Sequence, residues 1–166
     1  MASTATFSEY NGSGPTETGS RSEFNFKDID DSTSTYSSYP ITIGQNSYWK
    51  IISGKWTGTF TQLILPTYKI SSNAPNTGVS IVGAVKTAYS QPARTATGDG
   101  AMSTTGLVTL FVGSTNGFSA TGYDTWYSGD SSTVYANPLR IQEQTIGTAA
   151  TGTTSSTTLT LAWNEI

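Results

Sequence analysis

The side chains able to do chemistry form a short inventory. Eleven carboxylates and eight lysines and arginines are the only formal charges in 166 residues, with no histidine and no cysteine among them. Lacking histidine, the chain has no ordinary general base near neutral pH and no imidazole metal ligand; lacking cysteine, it has no thiolate nucleophile, thiolate metal site or disulfide. Serine-hydrolase and zinc-enzyme readings therefore fail. A carboxylate pair of the glycosidase type would have to come from Asp28, Asp30, Asp31, Asp99, Asp124, Asp130 or Glu143, and no catalytic motif surrounds any of them. No catalytic residue is assigned, and the chain reads as a non-enzyme.

Two acidic groups could offer oxygen ligands to calcium: Asp28-Ile29-Asp30-Asp31, and Asp124 with Asp130 across one loop. Neither has the glycine and terminal glutamate spacing of a calcium-binding hand. Aspartates in Ser/Gly-rich loops more often make local turn hydrogen bonds. No metal ligand and no cofactor is assigned, with structural calcium left open. Tyr123, Trp126 and Tyr127 crowd one glycine- and aspartate-bearing segment. They would suit either a sugar-stacking platform or a packing and subunit contact, and contact is favoured because covered aromatics bury large apolar area.

The elements that must carry these residues are strands. Only 11% of the chain is charged, serine and threonine make up about a third of it, and no window has the period of an amphipathic helix. The densest apolar stretch, residues 47–70, contains Trp49 and Trp56 and reads as the centre of a sheet. Ser53-Gly54 there marks a turn or a bulge, and a strand pattern runs from Trp56 to Leu65. Around it, residues 4–10, 23–27, 39–43, 79–88, 106–113, 134–146 and 157–166 read as extended. Phe24 and Phe26 share one face, Val79, Ile81 and Val85 belong to the core, and Leu159, Leu161 and Trp163 alternate inward. Residues 28–38 read as a loop too polar to pack.

About eight strands without βαβ alternation predict an all-β, two-sheet antiparallel sandwich, jelly-roll-like because long connections must be absorbed. A single domain spans 1–166, with a polar N-terminal segment of about residues 1–20 that includes a short strand, expected at an edge. The scattered cations exclude a nucleic-acid footprint at net charge −3. No apolar run approaches a membrane span, and the start Met-Ala-Ser-Thr-Ala-Thr lacks signal-peptide character, so synthesis in a cytoplasm without a membrane partner is expected.

Tyr39-Pro40-Ile41, Tyr48-Trp49-Lys50, Lys55-Trp56-Thr57-Gly58-Thr59-Phe60-Thr61 and Leu159-Thr160-Leu161-Ala162-Trp163-Asn164-Glu165, set around a Thr/Gly/Ser-rich middle, together resemble small β-sandwich structural proteins of tailed bacteriophage virions. That family includes capsid decoration proteins and neck and tail components. The resemblance implies a virion protein of the decoration or cement type. It would bind the major capsid protein as a homo-oligomer, a trimer being the favoured state, and no functional residue carries over. Two other classes compete with it: a carbohydrate-binding module using Tyr123, Trp126 and Tyr127, and a self-assembling extracellular filament protein whose N-terminal residues pair with a neighbour's sheet edge.

Overall fold

The computed structural model describes residues 3–58, 62–72, 76–85, 89, 91–94, 108–110, 116–119, 126–127, 133–135, 138–152 and 157–165. The protein is all-β, with no helix among the described residues. Its strands are β1 (Thr4–Asn11), β2 (Thr16–Arg21), β3 (Lys50–Thr57), β4 (Gln62–Ser72), β5 (Val79–Val85), β6 (Val108–Leu110), β7 (Asn116–Ser119), β8 (Trp126–Tyr127), β9 (Thr133–Tyr135), β10 (Leu139–Thr145) and β11 (Thr157–Glu165). Five long antiparallel strands form the main sheet in the order β2-β1-β3-β10-β5; short β6 extends it beyond β5, and short β9 pairs with β3. A second set of paired strands has β4 between β11 and β7, with β8 also on β4.

Register determines which side chains meet. Ala5 stands opposite Trp56, Phe7 opposite Gly54 and Glu9 opposite Ile52, while Leu139 faces Ile52 on the other side of β3. Because strand side chains alternate, this one face carries Ala5, Phe7 and Glu9 of β1 and Lys50, Ile52, Gly54 and Trp56 of β3. Ile52, Trp56, Tyr68, Ile81, Leu139 and Ile141 form its buried core, with Phe24, Phe26, Leu159, Leu161 and Trp163 packed against them. Removing an aliphatic side chain of this kind from water contributes about 1.5–3 kcal/mol. On the opposite face Trp49, Val82 and Ala84 form a second cluster. It lies under the segment around Ala93, whose carbonyl accepts from the Trp49 amide at 3.0 Å. A strand covered on both faces reads as an unbroken apolar run, as Ile51-Ile52 does.

β11 meets β3 at Gly54. A Cβ there would lie 2.5 Å from Leu161 Cδ2, and the Gly54 amide donates to Tyr68 Oη at 3.0 Å. Trp163 then sets its ring edge-on to Trp56, with centroids 5.9 Å apart.

Several expectations are corrected. Gly54 lies inside β3, which ends at Thr57 before Gly58 with φ +113°, so Ser53-Gly54 does not separate two strands and Trp56 belongs to β3 while Leu63 to Leu65 belong to β4. The N-terminal strand is interior, hydrogen-bonded to both β2 and β3; the edge belongs to β2. That edge is broken by a bulge, where Gly19 and Ser20 stand opposite the single residue Ser8 and Ser20 takes φ +55°. A kinked, short edge resists strand-to-strand association. Residues 23–27 and 39–43 are not strands. Phe24 packs edge-on against Phe7 at 5.8 Å from irregular backbone, since its segment has no ladder partner. Trp163, expected to be buried, is half-buried.

Candidate functional site

Beyond the apolar core, the same face of the main sheet ends in charge. Glu9 and Lys50 are both about 1% exposed, and Lys50 Nζ donates to Glu9 Oε1 at 2.8 Å. Strand alternation explains the pairing: Lys50 precedes Ile52, the residue opposite Glu9, by two positions, so the pair is diagonal across β1 and β3. Arg21 at the end of β2 reaches the second carboxylate oxygen, with Nε 3.7 Å from Glu9 Oε2.

The segment after β2 closes over this cluster. Lys50 Nζ also donates to the Asp31 carbonyl at 2.9 Å, and Lys27, itself buried, donates to the Asp31 carboxylate and to the Ser34 carbonyl at 2.6 Å. The Ser34 hydroxyl and amide both donate to the Asp31 carboxylate, the amide at 3.0 Å. Thr18 and Ser32 join their hydroxyls at 2.7 Å. Of residues 28–38, expected to be too polar to pack, 28–32 and Ser34 do pack, through buried ammonium groups that supply what the loop's own side chains lack, while Thr33 and residues 35–38 are exposed as expected.

The aspartates once grouped as a calcium motif face three different tasks. Asp28 ion-pairs with Arg94 at 3.0 Å. Asp30 accepts from Asn11 Nδ2 and from the Gly12 amide, each at 3.0 Å, and so grips the β1–β2 turn, where Gly12 has φ +83°. From the other side the Tyr89 hydroxyl donates to the Gly12 carbonyl. Asp31 serves Lys27 and Ser34. Among the described residues no group of three acidic side chains is placed to hold a metal ion.

The electrostatics are those of cross-linking. Burial alone would raise the Asp31 pKa, but hydrogen bonds from Lys27 and Ser34 outweigh it and hold the carboxyl at about 2, far from the range of a general acid at neutral pH. Burial holds Lys50 below the ordinary lysine value, against the opposing pull of Glu9. Burial, reinforced by Asp30, pushes Tyr89 up to about 12, with Arg140 opposing. Glu9, Arg21, Lys27, Lys50 and residues 32–36 help line a polar pocket of about 290 Å³.

The other expected site residues fall elsewhere. Glu143 lies on β10 opposite Ile81 of β5, its amide donating to Ser47 Oγ at 3.1 Å and its carbonyl accepting from the Ser47 amide at 2.9 Å. Trp126 and Tyr127 form β8, opposite Leu63 and Gln62 of β4. Tyr123, Asp99, Asp124 and Asp130 lie outside the described residues. Sequence reasoning missed Glu9, Lys27 and Lys50. The available signal was parity: Glu9 continues the alternation of Ala5 and Phe7, and Lys50 that of Ile52 and Trp56, so each is a charge at a core-facing position.

No family model matches the chain, and a comparison with curated proteins likewise finds no match.

Proposed function

We propose that this chain is a non-enzymatic structural protein of a virion, a capsid decoration protein that binds the lattice of the major capsid protein as a homo-oligomer. In this reading β4, β7, β8 and β11 form the second layer of a two-sheet, jelly-roll-like sandwich over the main sheet. The observation that carries the reading is the use made of the acidic loop. Asp28, Asp30 and Asp31 are each committed to a cation or to a turn, so the loop serves as a fixed outer surface rather than as a reacting group. A decoration protein needs such a surface and little else, because many equivalent sites on a closed shell let a modest interface per subunit suffice.

The N-terminal residues have no anchoring role in this proposal, since β1 is held between two strands of its own sheet. The lattice contact falls to loops. Purified virions produced from the genome that encodes the chain should contain it in a fixed ratio to the capsid protein, and recombinant protein should co-sediment with reconstituted capsids to saturation. Its absence from virions, or a failure to bind any virion component, would remove the proposal.

A further inference from the structure

A strand at the end of a sheet leaves a row of amides and carbonyls without ladder partners, and proteins blunt such rows by shortening, kinking or charging the strand. Among the described residues β2, β6, β7 and β11 end the strand orders. Three of them are blunted. β6 has three residues and β7 four, while β2 carries the bulge at Gly19 and Ser20 and the charges of Glu17 and Arg21. β11 has none of these devices. It runs for nine residues, Thr157–Glu165, without glycine, proline or any charge before Glu165, and among the described residues its ladder is with β4 alone. The one slip in that ladder lies on the β4 side, where Leu65 and Pro66 stand opposite Trp163, so β11 keeps its own alternation.

The core-facing side chains of β11 are only partly covered. Leu159, Leu161 and Trp163 pack against the buried core and yet stay half-buried, whereas Trp56, the ring that Trp163 meets edge-on, is fully buried. A strand that completes this edge has to carry apolar groups on the same face and bring no like charge against Glu165. β11 itself meets both conditions. Turned about a two-fold axis at Leu161, the midpoint of the strand, all nine residues pair, Leu161 with Leu161, Leu159 with Trp163 and Thr160 with Ala162 of the second copy. Odd positions meet odd positions, so the apolar sets of both copies lie on one face. The two Glu165 side chains go to opposite ends, where parallel pairing would set like charges side by side. We infer that β11 pairs antiparallel with β11 of a second copy, so that main-chain hydrogen bonds close an isologous dimer. The inference rests on the proposed function only in identifying this contact as the source of its homo-oligomer, and it requires no capsid.

The test is sedimentation equilibrium on the full-length chain alone, so that a negative result leaves capsid binding to be judged by its own experiment. The mass should pass from monomer to dimer across a dilution series and stop there, since a two-fold contact closes at two copies. Thr160→Lys, at an exposed position, sets two lysines diagonally across the axis and should weaken dimerisation by on the order of tenfold or more, with the circular dichroism spectrum unchanged. Register is read by disulfide formation, in a chain that has no cysteine of its own. Thr160→Cys mixed with Ala162→Cys should oxidise to a linked pair in preference to either variant alone, because directly opposed residues lie within disulfide reach. Any of four results would overturn the inference: a chain monomeric at every concentration; a trimer or an open-ended series; a dimer that Thr160→Lys leaves as tight; or a mixture that gives no disulfide between positions 160 and 162.

Discussion

Gly54 and the Glu9–Lys50 pair show what a single residue can decide in this fold. At Gly54 the added methyl of alanine would meet Leu161 at 2.5 and 3.1 Å and the Trp56 ring at 3.2 Å, so either Leu161 leaves its rotamer or the strand shifts. Overpacking of this kind costs about 1–3 kcal/mol, and Gly54→Ala should lower stability by that amount in chemical denaturation. Shortening the obstructing side chain should relieve the clash. Gly54→Ala with Leu161→Ala is then less destabilised than the two single changes added together, and strict additivity would show that the contact does not govern the site. The ion pair behaves in the opposite way. Lys50→Ala strands Glu9 at 1% exposure without its closest cation and removes a donor from the Asp31 carbonyl, a loss of about 3–5 kcal/mol. Glu9→Leu with Lys50→Met should cost much less than the separate changes summed, since an apolar pair needs no compensating charge. A double-mutant cycle with no coupling energy would refute that account.

Among the elements, β1 is the strand its sequence suggests but not the edge expected of it. It lies between β2 and β3 and supplies Ala5, Phe7 and Glu9 to the inner face. Deleting residues 1–9 should therefore abolish the cooperative unfolding transition followed by circular dichroism. A truncated chain that kept the transition would show β1 to be dispensable. The elements differ in how far sequence reveals them. Leu159, Leu161 and Trp163 alternate, and β11 follows, because alternation is a local signal that survives without knowledge of the partner. Residues 23–27 alternate as well and form no strand, for Phe24 and Phe26 reach the core from a loop and nothing local reports a missing ladder. Gly54 could be read as a turn or as a bulge because glycine in a strand is ambiguous until its neighbour across the core is known, and Leu161 lies far along the chain. The ionic cluster was hidden for the same reason. Its members come from β1, β2, β3 and the segment between β2 and β3, and only register unites them.

For the whole molecule, the absence of histidine leaves no side chain to titrate with an ordinary pKa near neutrality, so stability should be nearly flat between roughly pH 5 and pH 9. The limits are set by groups whose folded and unfolded pKa values differ. Asp31 titrates at about 2 when folded against 3.8 when unfolded; its contribution is complete above the unfolded value and is lost as pH falls toward 2. Tyr89 lies at about 12 against 10.0, and burial also raises Tyr68, so on this limb the unfolded chain ionises first and stability falls as pH climbs from 10 toward 12. Lys50 opposes that fall, because burial lowers its pKa and the folded chain sheds its proton before the unfolded one does. Urea midpoints measured across the range isolate each contribution. Tyr89→Phe should flatten part of the alkaline limb while costing about 1 kcal/mol at neutral pH for the lost bond to the Gly12 carbonyl. Asp31→Asn should flatten the acid limb between about pH 4 and pH 2. An alkaline limb that Tyr89→Phe leaves unchanged, or a slope across neutral pH in the original chain, would mean that groups other than these set the pH dependence.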